Sequence, residues 1–153
     1  MDWYNTSTSS WECWNGTAWV TTTVPGSRYL CLLTADPVAN GVVNISDTGF
    51  VEMSDTNYAR QNISNGQAAG FTAVTGSPPT YPPVSSNAAA ITFGGAGGFA
   101  ATMTTAVGWI AMVTVSSGTA GYFLCSWALP TPILADISQT IQIGAGTLII
   151  QDQ

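Results

Sequence analysis

From Trp109 to Pro132 the chain reads W-I-A-M-V-T-V-S-S-G-T-A-G-Y-F-L-C-S-W-A-L-P-T-P. Two apolar runs, Trp109–Val115 and Tyr122–Leu129, flank the polar turn Ser116-Ser117-Gly118-Thr119. Valine, isoleucine and the aromatics fit a pleated surface, and a Ser/Gly turn between two such runs predicts a β-hairpin. Both faces of each run are apolar. A strand of that kind lies inside a core, or turns its second face to another subunit. The hairpin is therefore expected at the centre of a β-sandwich, with homo-oligomerisation covering whatever the sandwich leaves exposed.

The rest of the chain repeats the pattern. Tyr29–Thr34 is a short apolar run before Ala35-Asp36-Pro37, which predicts a buried strand. Val42–Ile45, Phe50–Met53, Tyr58–Ser64, Gly70–Thr75 and Phe99–Thr105 are weaker strand candidates. Ala88–Phe93 alternates, with Ala89, Ile91 and Phe93 on one face, and Thr140–Ile143 does the same with Ile141 and Ile143. Thr147–Gln151 closes the series. Proline has no N–H to donate, so Gly76–Pro83 leaves the ladder as an extended excursion. No segment carries a capped 3.6-residue period. Eight to ten strands with this turn spacing predict an all-β fold, an antiparallel β-sandwich or jelly roll.

Residues 1–24 stand apart from that domain, which spans 25–153. They hold Trp3, Trp11, Trp14 and Trp19, four of the six tryptophans. Asn15-Gly16 is the signature of a type I′ hairpin turn. Either the segment folds back as a hairpin, or it is an arm whose four tryptophans form an interface with a neighbouring subunit.

Composition narrows the function. The 153 residues suit one domain, large enough to bury roughly 70% of its extended-chain surface without disulfides. Charged residues make up 7% of the chain, against roughly 25% in ordinary domains. A surface so poor in charge suits a chain packed against copies of itself or a larger assembly. Arg28 and Arg60 are the only cations beside eight carboxylates, so neither nucleic acid nor an anionic membrane is an expected partner. No apolar run is long enough for a transmembrane helix, and the first residues lack the pattern of a signal peptide. The sequons at Asn5, Asn15, Asn44 and Asn62 are then the chance product of a Thr/Ser/Asn-rich chain.

The chemistry is defined mostly by what is missing. Without histidine there is no Ser-His-Asp triad or imidazole metal ligand, and without lysine no Schiff base or Walker lysine. The Gly94–Gly98 run is accordingly expected to be a flexible turn, not a phosphate cradle. Asp47-Thr48-Gly49 spells the aspartic-protease triplet, but Asp beside Gly is ordinary turn chemistry. Asp36, Asp47, Asp55 and Asp136 fall in predicted loops without EF-hand spacing, so solvated acids are expected and no metal or other cofactor. Cys13, Cys31 and Cys125 are odd in number and widely spaced, and Cys31 and Cys125 are expected to be buried free thiols. The tryptophan-rich segment leaves a glycan-binding module as a minority reading.

Tyr29-Leu30-Cys31-Leu32-Leu33-Thr34-Ala35-Asp36-Pro37 resembles the opening motif of a family of small tailed-phage virion proteins, often labelled tail fibre or structural protein. Tyr58–Gln61, Asn87–Phe93, Gly108–Ile110, Ser126–Pro132 and Gly146–Ile150 follow in the family's order, so the resemblance covers about 29–150. It implies a non-enzymatic β-sandwich component of the virion, similar to capsid decoration (cement) proteins. Such a protein forms homotrimers on the outer surface of the capsid, binds the major capsid protein, and is made in the host cytoplasm. The alternative within the virion is a tail-fibre or head-fibre adhesin.

Overall fold

A computed structural model describes residues 2–5, 10–14, 19–22, 27–63 and 84–151. The described residues are all-β and antiparallel, with no helix. β1 (Asp2–Asn5), β2 (Ser10–Trp14) and β3 (Trp19–Thr22) pair in sequence as a three-stranded sheet. Trp14 lies opposite Trp19, and Tyr4 opposite Trp11. The tryptophan-rich segment is thus a meander of two successive hairpins rather than the single hairpin expected from Asn15-Gly16.

The remaining strands are β4 (Tyr29–Leu33), β5 (Gln61–Asn62), β6 (Val84–Ser86), β7 (Ile91–Phe93), β8 (Val107–Val113), β9 (Phe123–Ile133), β10 (Ile141–Ile143) and β11 (Ile149–Gln151). A four-stranded sheet runs β5-β4-β8-β9, and two ribbons, β7 with β10 and β6 with β11, complete an architecture compatible with a β-sandwich. The hairpin expected from Trp109–Leu129 is the β8–β9 pair.

Register explains the core. Leu30 and Leu32 on β4 share a face with Ile110 and Met112 on β8, and they join Ile91, Phe93, Ile141 and Ile143 from the β7–β10 ribbon in the main cluster. The alternation predicted for both ribbon strands is what seats these side chains, with Thr92 and Gln142 facing solvent. A register break between Val107 and Trp109 brings Val107 into the same cluster, as a bulge re-aims the side chain beside it. On the opposite face of the sheet Cys31, Leu33, Ala111 and Val113 pack with Ile45, Phe50 and Val115. Each large side chain buried this way contributes about 1.5–3 kcal/mol.

Two expectations are corrected here. The hairpin is not central as a unit: β8 is interior and buried on both faces, while β9 is the sheet edge and mostly exposed. And the second face of β8 needs no partner subunit, because the chain's own 42–50 loop covers it through Ile45 and Phe50. Ile45 is held there by its N–H bond to the Gly121 carbonyl.

Several weak strand candidates resolve differently. Val42–Ile45 and Phe50–Met53 form turns and isolated bridges, Asn44 with Tyr122 and Leu33 with Glu52. Of the Tyr58–Ser64 run, the described residues 58–63 are strand only at Gln61–Asn62, and Phe99–Thr105 is irregular. Gly70–Thr75 and the Gly76–Pro83 excursion lie outside the described residues.

The far edge of β4 is finished piecemeal. β5 pairs with Tyr29 and Leu30, the Tyr58 hydroxyl accepts the Leu32 N–H at 2.9 Å, and Met53 and Val51 bond Leu32 and Thr34. A buried ladder group left open is costly, and here one side-chain hydroxyl stands in for a strand. Tyr58 is fixed in turn by stacking on Phe93, with centroids 6.0 Å apart.

Candidate functional site

The residues with chemical potential in the sequence turn out to be committed to the fold. Asp47 of the Asp-Thr-Gly triplet accepts the Val43 and Asn44 N–H groups at 2.8 Å each. Those bonds, Asn44 first, hold its carboxyl below the usual range. It closes a turn. Asp36 caps the next turn through Val38 and Ala39, which accounts for the Thr-Ala-Asp-Pro motif: the acid sets the turn and Pro37 is buried. Asp55 accepts the N–H groups of Ala100, Ala101 and Asn57, and these depress its pKa, Ala100 most. It ties the 52–60 segment to the 98–105 segment. Asp136 lies in the loop before β10. Among the described residues no group of acids, cysteines or histidines is placed to hold a metal ion.

The glycine run forms a turn that is tied to a second segment. Gly94, Gly95 and Gly98 all have positive φ, and Gly98 lies against the backbone of Ser138. Phe99 N–H bonds the Gln139 carbonyl and Ser138 N–H bonds the Phe99 carbonyl, so two chain segments forty residues apart are laced together. The Asn57 amide donates to the Gly98 carbonyl on the other side.

Asn87, from the Asn-Ala-Ala-Ala-Ile-Thr-Phe motif, is a polar residue buried in the core, 1% exposed. Its amide donates to the Ala89 and Gly144 carbonyls and its oxygen accepts the Leu148 N–H. It joins the loop after β6 to the β10–β11 connection. Trp127 of the Ser-Trp-Ala-Leu-Pro motif donates its indole N–H to the Ile149 carbonyl.

The one cluster that sequence reasoning missed is built on Arg60. Its guanidinium meets the Glu52 carboxylate at 2.6–3.2 Å and also donates to the Val115 and Gly118 carbonyls. The Arg60 side chain is 5% exposed and the Glu52 side chain 20%. Hydrogen bonding to Glu52 raises the Arg60 pKa further. Tyr58 donates to the same carboxylate at 2.8 Å, and burial, then the Glu52 charge, pushes its own pKa up. The signal in the sequence was scarcity: in a chain with two cations, each has to be accounted for individually.

Cys31 is fully buried on the Cys31/Ala111 face of the sheet, and burial raises its pKa strongly. Cys125 lies opposite Met112, with the main cluster on the other face, and burial pushes it up to about 11. Side chains on opposite faces of a sheet cannot meet in a disulfide, and both thiols are free. Thiol labelling of the native protein with an alkylating reagent is expected to leave Cys31 unmodified until the chain unfolds, with Cys125 reacting slowly. Cys31 reacting as fast as a free thiol would refute its burial.

Trp3, Trp11, Trp14 and Trp19 all lie on the N-terminal meander. What the fold does expose is an apolar stretch. From Gly121 to Ala135 there is no charged residue, and Tyr122, Leu124, Ile133, Leu134 and, just beyond, Ile137 are exposed.

Residues 13–151 match the family model described as podophage GP4 fiber I protein gp80. The chain belongs to this family. No curated protein matches the chain. Membership in the gp80 fibre family makes it a bacteriophage virion structural protein, in line with the resemblance seen in the motifs from Tyr29 to Ile150. The match begins at residue 13, so it takes in Trp14 and Trp19 of the N-terminal meander as well as the domain.

Proposed function

We propose that the chain is a non-catalytic, homo-oligomeric building block of a fibre on the outside of the phage particle. The observation that carries the reading is the fibre-family match over 13–151. The commitment of Asp36, Asp47 and Asp55 to turns and segment ties supports it, since a scaffold needs those bonds and a hydrolase needs a free acid. The second reading is capsid decoration, with the major capsid protein as partner, but the family description favours the fibre.

Assembly draws on two surfaces. One is the uncharged edge strand β9 with its exposed apolar neighbours; an unprotected sheet edge is a ready template for association. Pro130 and Pro132 limit pairing at its far end. The other is the tryptophan-rich meander, offered to a neighbouring subunit. The stoichiometry proposed is a trimer.

Light-scattering mass measurement at micromolar concentration tests the assembly. A trimer is expected, with Leu134→Glu and deletion of residues 1–24 each weakening it while leaving the domain folded. A wild-type monomer would remove the oligomer, and a deletion that unfolds the domain would make the tryptophans part of the chain's own core. Electron microscopy of particles carrying a tagged copy tests location: label along a fibre is expected, and label distributed over the head lattice would restore capsid decoration.

A further inference from the structure

Residues Glu52 to Asp55 line two grooves that run side by side. One, about 390 Å³, is walled by Ala101–Thr105 and Thr34. The other, about 290 Å³, is walled by Ala59, Arg60 and the Ser116–Gly118 turn. Both walls are held by bonds already described. Asp55 anchors Ala100 and Ala101 on one side, and Arg60 anchors Val115 and Gly118 on the other. A preformed trough asks little ordering of itself when a ligand arrives, and the larger groove alone is of ligand-pocket size.

The lining selects by chemistry. Glu52 is neutralised by Arg60, and Asp55, its carboxylate held by three backbone N–H groups, is the one uncompensated charge of the lining, an anion that turns anionic ligands away. The chain's net charge of −6 works against anions in general. What remains is hydroxyl groups. Those of Ser54, Thr104, Thr105, Ser116 and Ser117 have no hydrogen-bond partner among the described residues. Each hydroxyl is both donor and acceptor, and threonine sets a methyl beside it. Met53 and the half-buried Met103 add apolar surface. Alternating hydroxyl and methyl groups complement a pyranose, whose faces alternate O–H and C–H.

We infer that this trough binds an uncharged saccharide. The site is separate from the tryptophans and from β9, and it does not rest on the fibre reading. Saturation-transfer NMR on the full chain with maltotriose, chitotriose and mannotriose, and polygalacturonate as the anionic control, tests it. At least one neutral trisaccharide is expected to bind saturably. Thr104→Val and Ser116→Ala, both at exposed positions, should each weaken that binding by about five-fold, the value of one hydrogen bond. Thr92→Val, outside the trough, should leave it unchanged. All three variants should keep the wild-type oligomeric mass, so loss of sugar binding and loss of assembly are read separately. Absence of binding by all three trisaccharides, binding that survives the Thr104→Val/Ser116→Ala double variant, or binding of polygalacturonate alone would overturn the inference.

Discussion

Gly98→Ala is expected to abolish the native fold, or at the least to lower its melting temperature far more than any surface substitution. Gly98 has φ +77°, a region that costs a side-chain-bearing residue about 1–2 kcal/mol. The larger effect is steric. A Cβ there would stand 2.2 Å from the Ser138 carbonyl carbon, 2.3 Å from its oxygen and 2.7 Å from the Gln139 oxygen. Backbone atoms cannot swing aside as a side-chain end can, and these are pinned by the reciprocal bonds between Phe99 and Ser138–Gln139. Relief requires the 136–139 turn to lift. That turn leads into β10, and Phe99, 1% exposed, is seated beside the ribbon's Ile141 and Ile143 in the main cluster. Gly97→Ala is the control. Nothing lies within 4 Å of the added carbon, so its effect should stay within about 0.5 kcal/mol. Thermal melts followed by near-ultraviolet circular dichroism compare the two. Equal melting temperatures for the two variants would show that the Gly98–Ser138 approach is not structural.

The second large effect is expected at Arg60. Replacing it with methionine keeps much of the aliphatic stem and removes the guanidinium. Glu52 then retains only the Tyr58 hydroxyl, and the Val115 and Gly118 carbonyls lose their donor. Removing one member of a buried pair costs about 3–5 kcal/mol, chiefly through the charge left behind. Glu52 is one-fifth exposed, so the lower end, about 3 kcal/mol, is expected. If the stranded carboxylate is the cause, Glu52→Gln in the same chain should recover part of the loss. Urea unfolding of the two single variants and the double variant closes the cycle, and contacting charged partners should show a coupling of about 1 kcal/mol or more. A coupling near zero would mean that Arg60 acts only through the 115–118 turn.

Some of this was legible without coordinates. Strand runs are local: the period-2 alternation at Ile91/Phe93 and Ile141/Ile143, and the doubly apolar runs at Leu30–Leu33 and Ile110–Val113, are properties of neighbouring residues, and all are buried as read. The Asp-Thr-Gly triplet was readable as a turn for the same reason, since Asp47 bonds residues three and four positions away. The ordered motifs from Tyr29 to Ile150 carried the phage-virion family, although in the structure most of their residues serve packing, capping and lacing.

Local pattern was enough for the all-β class, the interior strands and the scarcity of chemistry. The rest came from contacts between distant segments. Two equally apolar runs became an interior strand, β8, and an edge strand, β9, because only β8 has β4 on its other side. The second face of that sheet was closed by Ile45 and Phe50 of the same chain, where the sequence left a partner subunit equally acceptable. Gly98 was fixed by Ser138, and Arg60 by Glu52, Val115 and Gly118. The physical reason is common to them. A strand's preference lies in its own side chains, but its place in a sheet, and the worth of a glycine or an arginine, depend on atoms that arrive from far along the chain, as Tyr29 pairs with Val113 and Arg60 holds Gly118.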